Sequence, residues 1–135
     1  MEYVRTAAPV MVQLFGPEDA GYLLYLTGKL IGMQYYDDVA EALAGQHGGA
    51  RECSALLMSL LAAEGDVAGL NESSGRFEIS QQSWKLMDGV SDYHPACRRI
   101  LHGLFEGLAA GCGRHIAIDL ATAASGRPPF VWSIA

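Results

Sequence analysis

From Pro95 onward the hydrophobic period of the chain changes once, and that change restricts the available folds more than any other feature. Cys97, Ile100, Leu101, Leu104, Phe105, Leu108 and Cys112 follow i, i+3, i+4 spacing, which predicts an amphipathic helix with Pro95 in its first turn. Gly111 and Gly113 predict its end. The period then drops to two. Arg114–Ala121 alternates with Ile116, Ile118 and Leu120 on one face, Ser125–Pro129 is a turn, and Phe130, Trp132 and Ile134 share one face of a final strand. A long helix running directly into an antiparallel hairpin must lay its apolar stripe on that hairpin's inner face.

The first half supplies the rest of such a fold. Pro17, with Glu18 and Asp19 behind it, reads as a helix start, with acids near the positive end of the helix dipole. Tyr22, Leu23, Leu26 and Leu30 keep helical spacing to about Ile31, where Gly28 and Gly32 notch the helix and are candidates for its end. A second helix is predicted over Tyr36–Ala44, broken by Gly45–Gly49. A third runs over Ala50–Ala63 with Cys53, Leu56, Leu57, Leu60 and Leu61 as its stripe and Gly65 as its cap. Asp66–Leu70 and Arg76–Ser80 read as strands around the turn Asn71–Gly75, with Phe77 and Ile79 inward, and Gln81–Val90 as irregular or briefly helical. The order predicts an α+β fold: an antiparallel sheet of about four strands with helices packed on one face. Its 135 residues suit one domain, 1–135, with 1–16 a candidate N-terminal extension.

Composition narrows the function classes. Half the residues are apolar, so a real core is available, and the net charge is −6. Acid is concentrated in residues 1–65, with three basic against eight acidic side chains, and no Lys/Arg stripe exists to bind nucleic acid or an anionic membrane. No apolar run approaches the roughly 20 residues that span a bilayer, and the N-terminus lacks a signal-peptide pattern. Cys53, Cys97 and Cys112 are an odd count without CxxC, which points to reduced thiols in a cytoplasmic protein.

Gly28 and Gly32, the Asp66–Ser80 hairpin, Cys97, Gly103 with Gly107, and the Arg114–Ala135 hairpin, in that order, resemble a 4-vinyl-reductase-type (V4R) domain, a small fold related to the Bet3-like subunit of a Golgi tethering complex. The resemblance covers nearly the whole chain and is clearest over its last forty residues. It implies a pocket between sheet and helices, a small apolar or aromatic ligand, and dimerisation through helices. In zinc-binding relatives an acid and two cysteines of the closing hairpin join the helix cysteine. Here Cys97 and the turn glycine Gly126 match, but those positions fall at Asp119 or Leu120, Ala123 and Val131. One cysteine and one aspartate cannot fill a tetrahedral site, so neither a metal nor another cofactor is expected.

Five residues are candidate ligand contacts. Trp84 and Trp132 offer apolar area with one N–H donor, and each can equally be plain core. His102 and Glu106 stand one turn apart, an acid–base pair or a solvated ion pair beside Arg98 and Arg99. Phe105 belongs to the buried stripe. Cys97, near a helix start, is a nucleophile or a small buried hydrophobe. His94 reads as a cap before Pro95, and His47 as part of the glycine-rich break. The two Gly-x3-Gly steps mark either an internal helix contact or a dimer seam.

Three functions follow. The first is a noncatalytic small-molecule-binding sensor domain, homodimeric and cytoplasmic, which a buried pocket lined by Trp and Leu would support and a filled core would sink. The second treats residues 19–80 as a winged-helix-like regulatory or protein-association module. Its recognition helix would offer Arg51 alone against Glu52 and Glu64, so DNA is a poor partner. The third is a small hydrolase using His102, Glu106 or Cys97, for which the sequence assembles no nucleophile, base and oxyanion hole.

Overall fold

The structure, a computed structural model, describes residues 2–40, 49–90, 93–113, 116–120 and 126–135. The chain runs α1 (Glu2–Phe15), α2 (Pro17–Ala40), α3 (Ala50–Ala63), β1 (Ala68–Ser73), β2 (Arg76–Gln81), α4 (Arg99–Cys112), β3 (Ile118–Leu120) and β4 (Phe130–Ile134). Short 3₁₀ turns occupy Lys85–Met87 and Pro95–Arg98. The strands form one antiparallel sheet in the order β1-β2-β4-β3, so the α+β architecture expected from the period change is present.

Phe77, Ile79 and Gln81 of β2 and Phe130, Trp132 and Ile134 of β4 are buried on the inner face. The stripes of α3 and α4 cover them. The opposite face has no helix among the described elements. A polar row, Asn71, Glu78, Ser133 and Asp119, crosses all four strands there. Ser74 and Gly75, with φ of 51° and 77°, make the two-residue turn between β1 and β2, tighter than the five-residue turn expected.

Two expectations in the first half change. The single helix α2 replaces the two expected, and it passes straight through Gly28 and Gly32. Those glycines face α4: a Cβ at Gly28 would overlap the Ile100 carbonyl, and one at Gly32 the Leu104 carbonyl. Gly103 and Gly107 answer from α4, with Cβ positions falling on the carbonyls of Tyr25 and Lys29. The two Gly-x3-Gly steps are thus one internal seam, and the contact removes the helix-ending meaning that glycine carries in isolation. The Tyr36–Ala44 prediction falls partly in α2 and partly outside the described residues, as does His47.

Residues 2–15, offered as an extension, form α1, which packs on α2 and on both 3₁₀ turns with Ala8 fully buried. Pro9 in its middle hid it from a periodicity reading. Gly16, at φ 83°, is the whole joint between α1 and α2. α3 has the predicted bounds. It ends as Gly65 N–H donates to Ala62 O and Asp66 N–H to Leu61 O, with Gly65 left-handed at φ 83°.

Candidate functional site

β4 carries Trp132 to the centre of the core because its alternation turns every second residue toward the helices. The indole is fully buried, with ring centroids 4.6 Å from Phe105, 5.5 Å from His102 and 6.1 Å from Phe130, all inclined edge-to-face. Its Nε1–H donates to Gln81 Oε1 at 3.0 Å, and Gln81 Nε2–H donates to Ser83 O at 2.9 Å. Gln81, the buried polar group of the sheet, is therefore satisfied on both sides of its amide.

Trp84 follows β2 and stands edge-on to Tyr93 at 5.9 Å and Phe130 at 6.1 Å. Tyr93 in turn donates to Gly126 O at 2.9 Å. The cavity bounded by Trp84, Leu101 and Leu104 holds about 20 Å³, room for about one water and not for an organic ligand. Phe105 and Cys97 are fully buried, and burial pushes the Cys97 thiol up, which keeps it protonated and poorly nucleophilic. Four of the five predicted contacts, Trp84, Cys97, Phe105 and Trp132, thus lie together in packed core.

The fifth, His102, lies half-buried at the edge of that stack. Its Nε2 is 3.2 Å from Ile118 O and 3.5 Å from Glu106 Oε1. A carbonyl only accepts, so the contact to Ile118 requires the proton on Nε2. Glu106 Oε2 also accepts a short hydrogen bond from the Tyr25 hydroxyl. That bond, with burial added, pushes the Tyr25 phenol up to about 12, because ionising it would set an anion against the Glu106 carboxylate. The Arg99 guanidinium lies over the Tyr25 ring at 5.4 Å. Tyr25, Lys29, Glu106, Ile118 and Asp119 border an open groove of about 530 Å³. The arrangement holds a carboxylate that the Tyr25 hydroxyl bonds and His102 flanks at 3.5 Å, beside a lysine, and suits recognition of a small molecule with a polar head.

Tyr25 and Gln81 were not found by reading the sequence. For Tyr25 a signal existed: matching glycine steps on two helices imply that they face each other, and Tyr25 lies one turn before Gly28. His94 behaves as its position suggested, Nδ1 accepting from Ala96 N–H at 2.9 Å. The winged-helix geometry is not reproduced, since β2 pairs along its length with β4 and cannot form a free wing, while Arg51 is engaged by Glu72 at 2.9 Å. Among the described residues no three His, Cys, Asp or Glu side chains gather as a metal set, and no helix is long and apolar enough to cross a membrane. No known protein family matches the chain, and no curated protein matches it either.

Proposed function

We propose that the chain is a noncatalytic association domain that works as a homodimer, with the vinyl-reductase-type resemblance as its fold analogy. One observation carries this reading. α2 is apolar on two sides: its glycine face meets α4, while Leu23, Leu26, Leu30 and Met33 form an outward stripe, with Leu30 68% exposed. α1 adds Val10, Leu14 and Phe15, Leu14 being 71% exposed. Single exposed leucines need no explanation, but a stripe repeating every three to four residues along a helix about 36 Å long marks a surface that meets a partner. Three unpaired, buried cysteines suit a reducing cytoplasm.

Sedimentation equilibrium tests this. The wild type sediments as a dimer, and Leu30→Glu as a folded monomer with unchanged circular dichroism. A wild type that stays monomeric at high concentration would end the proposal.

The groove at Tyr25, Lys29 and Glu106, with His102 behind Glu106, favours a second role in the same domain, noncatalytic capture of a small aromatic molecule with a polar head. This sensor role moves the ligand from beneath the sheet to its rim, because the space beneath is occupied by Trp132 and Phe105. The hydrolase alternative is weakened by the burial of Cys97. Native mass spectrometry of freshly purified protein checks the sensor role: a small organic mass released on denaturation, and lost in Lys29→Ala, is the expected result.

A further inference from the structure

Two of the three cysteines meet where the start of α3 touches the end of α4. Gly49 joins them through the main chain: its N–H donates to Cys112 O at 3.0 Å, and its carbonyl accepts from Cys53 N–H at 3.0 Å. Gly49 sits at φ 122°, a conformation that side-chain-bearing residues rarely adopt, so this junction calls for glycine. The two side chains lie close enough across this junction for each to shift the other's ionisation. Cys53 is fully buried and Cys112 is 5% exposed, so an oxidant approaches from the Cys112 side. That difference in exposure gives the two different roles, and the direction of the shifts agrees with it, the Cys112 thiol held below its ordinary range by its neighbour and that of Cys53 pushed above it. Cys97, in the 3₁₀ turn before α4, is raised by burial, and no other cysteine contributes to its shift.

We propose that Cys53 and Cys112 are an oxidative modification site, at which a peroxide-class oxidant joins the neighbouring thiols into a disulfide fastening the first turn of α3 to the last turn of α4. The Cys112 thiolate attacks one peroxide oxygen. The O–O bond breaks, hydroxide leaves and is protonated to water, and Cys112 becomes a sulfenic acid. The Cys53 sulfur then attacks the sulfenic sulfur, its proton passing to the departing oxygen, and a second water leaves. Two thiols and one hydrogen peroxide give one disulfide and two waters. The thiols lose two electrons and the peroxide gains them.

The cleavage pattern makes the test direct, because trypsin leaves each cysteine on its own peptide: 52–76, 86–98 and 100–114. Native protein is treated with hydrogen peroxide, blocked with an alkylating agent and digested without reduction. The expected product is 52–76 linked to 100–114 at monomer mass, about ten-fold over any link to 86–98, which emerges alkylated at Cys97. Protein oxidised in denaturant provides the reference for random pairing, about one third each way. In Cys53→Ser, Cys112 stops at the sulfenic acid and is trapped by dimedone. Cys97→Ser keeps both thiols, must still form the link, and decides the matter if the first variant fails to fold. Native pairing no different from the random reference, or a link between two chains, would overturn the assignment.

Discussion

Tyr25, Glu106 and His102 show what a residue-level argument reaches. The His102–Glu106 pair was legible, since helical spacing alone places i and i+4 together. Tyr25 was missed: it arrives from a helix about eighty residues earlier in the chain, and the matching glycine steps of α2 and α4 were the one indirect sign that the two meet. For Trp132 the alternation of β4 correctly gave an inward ring. Whether that ring lined a pocket depended on Phe105, His102 and Gln81, which belong to other elements. The short bond between Tyr25 and Glu106 makes a testable claim about titration. A phenol raised from 10.0 to about 12 contributes stability that is complete below pH 10 and is lost as pH rises through 12. Phenolate absorbance in an alkaline titration should show a step near 12 that Tyr25→Phe abolishes. Glu106→Gln, which removes the opposing charge, should move that step down toward 10.

At the scale of elements, local signals served where an element is defined by its own neighbours and failed where a distant one redefines it. α3 matched its predicted bounds because stripe and cap are both local. α2 ran through two glycines because α4 supplies, from far along the chain, the contact that makes them favourable. Magnitudes decide the sign of a substitution in this seam. Alanine is worth about 1 kcal/mol over glycine in a helix interior. A methyl at Gly28 or Gly103, however, meets a backbone carbonyl that cannot rotate away, and overpacking of this kind costs about 1–3 kcal/mol or more. The Gly28 Cβ would fall far inside contact distance of the Ile100 oxygen, so the upper end of that cost applies and Gly28→Ala is expected to lower urea-denaturation stability by about 2 kcal/mol or more net. Gly69→Ala in β1, where a Cβ meets nothing within 4 Å, should stay within about 0.5 kcal/mol of wild type.

For the whole molecule, the change of period at the end of α4 was enough to fix the class, because a helix feeding a hairpin leaves few other ways to bury both stripes. The layering of α1 and α2 behind α4 was less legible, since their outer faces are apolar as well and periodicity cannot say which side turns inward. Charge adds a prediction about assembly. Each copy carries −6, so two copies repel, while the outward stripe of α2 is apolar. Added salt screens the repulsion and leaves the apolar contact intact, so the dimer dissociation constant should fall as sodium chloride rises from low to physiological strength, measured by sedimentation. The glycine seam also bears on how such a molecule changes over generations. Backbone meets backbone there, so the seam is specified by the absence of side chains and leaves almost no room for drift. Leu30, on the other side of the same helix, is 68% exposed and adds little to holding the described chain together. A substitution at such an exposed position is far less constrained by the fold, so one helix carries a face almost closed to change and a face open to it.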